Sequence, residues 1–192
     1  TTDSEVTSYV SHTGVAVGIT VTPVNDDPNF NDDVIITINE DKAGSDTSQT
    51  ARTIATIFSG VFEDVDTGNT HGGIAIASTG EITGKGSWQY SFNGSDWHDV
   101  GARTTGSALV LSAATHLRFE PAENHNNTTK EGALTVHAID SAYDGDYSTL
   151  GDLKTVDAAT GNSADGLDET PSVIEVKINA VNDAPTTFSL IV

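Results

Sequence analysis

The residues with the strongest chemical bias in this chain are carboxylates, and they are gathered rather than spread. They stand at Asn25-Asp26-Asp27, Glu40-Asp41, Glu63-Asp64-Val65-Asp66, Glu120 and Glu123, Asp140, Asp144-Gly145-Asp146, Asp152, Asp165 to Glu169 with Asp168 among them, and Asn182-Asp183. Hard oxygens of this kind suit calcium, which takes about six to eight of them from carboxylates, Asn carbonyls and backbone carbonyls on curled loops. Alternate residues such as Asp64 and Asp66 reach one ion only where the backbone curls, since a straight strand would point them the same way without closing a shell. An Asp-x-Asp pair in a turn is as readily plain solvated turn chemistry. Position in the fold has to decide between the two.

Composition narrows the choice. The 192 residues carry 28 Asp and Glu against 8 Lys and Arg, a formal charge of −20. Such a surface repels a phosphate polymer or an anionic membrane, which leaves nucleic acid and membrane insertion as poor expectations and cations as good ones. Strong negative charge also serves solubility. The chain has no Cys, so neither disulfides nor thiolate metal sites are available to staple it. No run of about 20 apolar residues occurs and the start is unlike a signal peptide, so the chain reads as an excised soluble piece of something longer.

The elements that would position the carboxylates are strands, and one of them is written twice. GVAVGITVTPVNDDP (14–28) aligns with PSVIEVKINAVNDAP (171–185), matching Val17, Ile19 and Val21 with Ile174, Val176 and Ile178. Each copy alternates as a half-buried strand does and then stops at Asn-Asp-x-Pro, because proline has no amide for the ladder. Two equal endings mark two domain ends. Residues 1–24 are then the C-terminal strand region of a preceding repeat, 25–185 a complete module with its linkers, and 186–192 the start of the next.

Within the module VIITI (34–38) alternates, SWQYSF (87–92) sets Trp88, Tyr90 and Phe92 on one inward face, and ALVL, HLRF and ALTVHAI continue the pattern. Asn93-Gly94-Ser95-Asp96 reads as a hairpin connection, since Asn-Gly accepts positive φ. Eighteen glycines fit frequent turns, and no long stretch has a helical period. The expectation is an all-β fold: about seven strands in a two-layer Greek-key β-sandwich.

The order Asn39-Glu40-Asp41, EDVDTGN, VHAID and finally VNDAP resembles the cadherin calcium code. More closely, GSWQYSFNGSDWHDVG, ALVLSAATHLRFEPAENHN, VHAID and INAVNDAP resemble the cadherin-like repeats of giant bacterial adhesins of the repeats-in-toxin (RTX) kind, across nearly all of 25–185. The resemblance implies a cadherin/Ig-like sandwich binding several Ca2+ ions. One ion would sit at the N-terminal end of the module, held by Asn25, Asp26, Asp64, Asp66 and Asp140 with Asn69 as a carbonyl ligand. A second at the C-terminal end would use Glu40, Glu123 or Glu120, Asn182 and Asp183. Each VND linker would then supply ligands that fix one module to the next.

The chain departs from that pattern where Ile139 stands in place of the Trp common before the Asp of the last strand, and again in the acidic stretch 141–170. So long a connection is usually functional or disordered. It is either a further metal or ligand loop built on Asp144, Asp146, Asp152 and Asp168, or an ordered but inert loop or a locally disordered one. Catalysis has little support. The six His residues form no His-x-x-x-His pair, and neither a Gly-x-Ser-x-Gly elbow nor a P-loop is present.

Two functions follow as expectations. The first is a calcium-stabilised extracellular module of a large bacterial surface adhesin, serving cell adhesion and biofilm formation by rigid extension, with adjacent repeats of the same chain as its partners. The second is a tip domain that grips a host or neighbouring-cell peptide or glycan through a loop calcium.

Overall fold

The computed structural model describes residues 10–12, 15–18, 20–40, 52–80, 82–127, 129–160 and 166–183. Ile19 of the first repeated strand, Asp41, Asp165, the last two residues of the VNDAP copy and the expected next repeat at 186–192 lie outside the described residues. The described chain is all-β. Its one helix, α1 (Ile54–Ile57), has four residues, and no helix there is long and apolar enough to cross a membrane.

Seven strands have five or more residues: β4 (Val34–Asn39), β6 (His71–Ser78), β7 (Gly86–Ser91), β9 (Ala108–Ser112), β10 (His116–Pro121), β11 (Glu131–Asp140) and β13 (Ser172–Asn179). The shorter ones are β1 (Val10–His12), β2 (Val15–Val17), β3 (Asn29–Phe30), β5 (Phe62–Glu63), β8 (His98–Asp99) and β12 (Thr155–Val156). A six-stranded sheet runs in the order β12-β9-β6-β11-β13-β4, and a three-stranded one in the order β10-β7-β8; β3 pairs with β5, and β1 with β2. All pairings are antiparallel except β13 with β4, which run parallel from Ile174↔Val34 to Asn179↔Asn39.

That exception sets the two ends of the molecule. Because β11 is antiparallel to β13, Asp140 at the end of β11 lies beyond the start of β13. Because β4 is parallel to β13, Glu40 comes out at the opposite end, beside the linker that follows Asn179. At 3.3 Å per residue the eight residues of β13 separate the two ends by roughly 25 Å.

One apolar core lies between the sheets. Ile36, Ile38, Ile74, Ile76, Leu109, Leu111, Leu134, Val136, Ile174, Val176 and Ile178 meet Trp88, Tyr90, Leu117 and Phe119 of the smaller sheet, as the alternation of VIITI, SWQYSF and the second repeated strand requires. Trp88 packs edge-to-face on Phe119 at 5.4 Å, and its indole N–H donates to the Gly132 carbonyl at 2.7 Å. Its polar atom is thereby satisfied where a bare one would be costly.

Two expectations need correction. The first is the number of layers. β9 is buried on both faces, because the far side of the six-stranded sheet carries a second cluster of Ala75, Ala77, Ala108, Val110, Ile139, Ala158 and Leu167. Tyr143, Tyr147 and Val156 pack against it. The described part of 141–168 therefore covers that face, and Ile139 serves as one of its anchors.

The second correction concerns the first repeated strand. Among the described residues of 15–21 only Val15–Val17 are in a strand, as a hairpin with Val10–His12, and Val21 is 68 % exposed. The strand β6, His71–Ser78, was not anticipated at all. Glycine and alanine are poor strand formers, yet a Cβ on Gly72 would stand 2.2 Å from the Asp140 carbonyl and one on Gly73 2.2 Å from that of Leu111.

Candidate metal centre

Asp140 is fully buried at the end of β11, where Ile139 pairs with Gly73 and Asp140 with His71, leaving Gly72 as a bulge on the partner strand. Bulges re-aim the side chains beside them. Here the Asp140 carboxylate serves two sides. Oδ1 accepts from the backbone N–H groups of Ala142 at 2.8 Å and Tyr143 at 3.1 Å, which start the cover segment. Oδ2 accepts from Asn25 Nδ2 at 3.1 Å and Asn69 Nδ2 at 3.0 Å.

The remaining N-terminal candidates join the same cluster. Asn69 Nδ2 also donates to Asn25 Oδ1 at 2.6 Å. The Asp26 amide donates to Asp66 Oδ2, and the Asp66 amide to Asp64 Oδ1, both at 2.7 Å. All six residues expected at this end, Asn25, Asp26, Asp64, Asp66, Asn69 and Asp140, are thus linked. They come from three parts of the chain: the first linker, the loop after β5 and the end of β11.

Burial pushes the Asp64 carboxyl above its ordinary value; the Asp66 amide opposes this, the charge of Asp140 adds to it, the nearby Asn69 side chain opposes it and the charge of Asp66 adds again. Its Oδ2 is buried and accepts no hydrogen bond among the described residues. Two further carboxylates, Asp66 and Asp140, stand close enough for their charges to act on it, a setting that a positive charge would relieve. These residues fit a hard cation by type: the four carboxylates Asp26, Asp64, Asp66 and Asp140, with Asn oxygens that come into reach when an amide turns over. They are not arranged as a finished shell. Among the described residues no three His, Asp or Glu side chains are grouped closely enough to hold an ion, and Asn and backbone amides bridge Asp64, Asp66 and Asp140 instead.

At the other end Glu40 is buried and accepts from the Val181 amide at 2.7 Å on Oε1 and from Asn126 Nδ2 at 2.9 Å on Oε2. Glu120, Glu123 and Asp183 line one cleft with Pro121 and Asn124. Within that cleft Glu120 pairs with Arg118 at 3.1 Å, while Glu123 is exposed. Asn182 and Asp183 repeat the local geometry of the first linker: Asn182 Nδ2 donates to the Asp183 carbonyl at 3.2 Å, as Asn25 Nδ2 does to that of Asp26 at 3.1 Å. The two VND copies share this one contact. Among the described residues, no hydrogen bond or ion pair joins Glu40 directly to Glu123, Asn182 or Asp183.

Of the four carboxylates expected for the 141–170 stretch, two meet at one lysine and the other two do not join them. Asp146 and Asp152 both face Lys154, at 3.7 and 3.0 Å. Asp168 is buried beside β11, its amide bonded to the Ala138 carbonyl and its Oδ1 to the Thr170 amide at 2.6 Å, and Asp144 is exposed. Burial raises the Asp168 carboxyl above its ordinary value, against the Thr170 amide and the charge of His137.

Sequence reasoning missed four residues around these sites. Asn126 holds Glu40, and Asn127 brackets β13 by donating to the Val176 carbonyl and accepting from the Ile178 amide. The polar run His125-Asn126-Asn127 after Glu123 was the available signal. Ser141 Oγ accepts from the Thr70 amide at 3.1 Å, and Gly166 has φ 77° with its Cα against Asp140. Neither of those two carries a signal readable without the fold.

No protein-family model, curated protein or solved structure matches this chain.

Proposed function

We propose that the chain is a calcium-stabilised, cadherin/Ig-like Greek-key module from the extracellular stalk of a large bacterial surface adhesin of the repeats-in-toxin kind. It lengthens and stiffens the adhesin, and it meets its neighbours through the VND linkers. The observation that carries this reading is the convergence of linker residues Asn25 and Asp26 with Asp64, Asp66, Asn69 and Asp140 around a buried carboxylate oxygen. The equivalent Asn-to-carbonyl bond in the two linkers, at opposite ends of the sheet, supports a module made to be joined at both ends.

Calcium supplies the positive charge that the clustered carboxylates lack. Without it, their mutual repulsion favours a loose linker; with it, coordination restricted to the folded state adds RT ln(1 + [Ca]/Kd) per site. At a Kd of about 10⁻⁴ to 10⁻³ M and about 10 mM calcium, that is roughly 1.4 to 2.7 kcal/mol per site. The ligand-gripping alternative rested on the acidic 141–170 stretch. Its two convergent carboxylates, Asp146 and Asp152, are already paired with Lys154 and its apolar side chains close the sheet, so no specific observation favours that reading.

Thermal melts in EDTA, in graded calcium and in magnesium test the proposal. A midpoint that climbs with calcium and not with magnesium supports it. An unchanged midpoint in millimolar calcium removes it.

A further inference from the structure

The turn between β7 and β8 contains the chain's one Asn-Gly step, Asn93-Gly94. Asn93 Oδ1 accepts from the backbone N–H groups of Ser95 and Asp96, both at 2.9 Å, and Asn93 Nδ2 donates to Asp96 Oδ2 at 2.7 Å. Gly94 has φ 75°, and no contact within the described residues engages its amide. The His116 imidazole, at the start of β10, lies against it: a Cβ on Gly94 would stand 3.2 Å from Nε2 and 3.3 Å from Cε1. His116 Nδ1 is buried and makes no hydrogen bond among the described residues.

We propose that Asn93-Gly94 is a self-modifying site, at which the folded turn promotes deamidation of its own asparagine. The Gly94 amide nitrogen attacks Asn93 Cγ and forms a C–N bond. The Cγ–Nδ2 bond breaks, and the proton lost by Gly94 passes by way of His116 to the departing Nδ2, which leaves as ammonia. Water then opens the resulting succinimide on either side to give Asp or isoaspartate at position 93. No oxidant or cofactor is involved, and water is the only co-reactant.

Three features of the turn match what this reaction requires. The two N–H groups on Oδ1 stand where charge develops as the tetrahedral intermediate forms, the arrangement that stabilises oxyanions in acyl transfer. Asp96 Oδ2 fixes the leaving amide. Gly94, with no side chain, leaves its nitrogen open to reaction beside the ring. The product places a negative charge where Asn93 had offered Asp96 a donor, and isoaspartate adds a methylene to the main chain of the turn. Either change loosens the connection that sets β8, and with it the bond from the Val100 amide to the Trp88 carbonyl.

The test holds the full chain at neutral pH in two forms, folded and unfolded in guanidinium, and follows position 93 by peptide mapping for the one-dalton gain and by isoaspartate labelling. The expected result is modification confined to Asn93, roughly tenfold faster in the folded chain, a modest fraction of what a positioned acid–base group gives an enzyme. His116→Gln should bring the folded rate down towards the unfolded one while leaving the unfolded rate alone. If that variant does not fold, the wild-type comparison still decides. A folded rate equal to or below the unfolded rate overturns the proposal, since the turn would then protect the asparagine.

Discussion

Asp140 and Asn25, 115 positions apart, share a hydrogen bond of 3.1 Å from the Asn25 amide to Asp140 Oδ2, and the other oxygen of the same carboxylate holds the start of the cover segment through Ala142 and Tyr143. One side chain thus ties the linker on one side to the wall of the sandwich on the other.

Replacing Asp140 tests that joint. Asp140→Ala leaves four donors without their acceptor in a buried place, and urea unfolding in EDTA should show a loss of roughly 2 to 4 kcal/mol. Asp140→Asn keeps the shape and should cost less in EDTA, while abolishing most of the calcium-induced gain. A variant that keeps the full calcium response would place the ion elsewhere.

Gly166 is held to glycine by the same carboxylate. It has φ 77°, and an added Cβ would lie 2.1 Å from Asp140 Oδ1 and 2.7 Å from the Tyr143 nitrogen. Gly60 has φ 98° with nothing within 4 Å of the added carbon. Gly60→Ala should therefore cost only the backbone strain, about 1 to 2 kcal/mol, and Gly166→Ala distinctly more. Equal denaturation midpoints for the two would mean that the Gly166 contact is soft.

The cover segment contributes to stability through its apolar residues. Leu167 is 1 % exposed against the second cluster, so Leu167→Ala should cost about 2 to 5 kcal/mol. Leu150 is 72 % exposed on the same segment, and Leu150→Ala should stay within about 0.5 kcal/mol. Thermal denaturation of the pair distinguishes a structural wall from an appended loop.

Acid sensitivity should come in part from Glu131. Burial would raise its carboxyl, but bonds from His125, Asn127 and Lys85 outweigh that and hold it below its ordinary value of 4.5. A depressed folded value means stability that is present above pH 4.5 and lost as the pH falls below it towards the folded value. Glu131→Gln should be less stable at neutral pH and should lose stability less steeply below pH 4.5. The same slope in both proteins would assign the acid response to other groups.

Much of this was legible in the sequence, and the exceptions have physical reasons. Val34–Asn39 and Ser172–Asn179 alternate because one face meets the core and the other does not, and their parallel pairing puts Glu40 next to the second linker. His71–Ser78 escaped notice because both of its faces are covered and its glycines answer to distant carbonyls. Tyr143, Tyr147, Val156, Ala158 and Leu167 follow no period, since a cover needs contacts only where the chain happens to cross the sheet, so their acidic neighbours dominated the reading. The candidate site was readable as residue types in order. Asn126, Asn127 and Gly166 were not, because their roles exist only across strands.

The most direct measurement is a calorimetric titration of the chain with calcium, beside Asp140→Asn. The account predicts measurable calcium binding to the wild type, weakened or lost in the variant while binding at the Glu40 end persists. No heat at millimolar calcium, or identical isotherms for the two proteins, would contradict the claim that the carboxylates around Asp140 are a calcium joint.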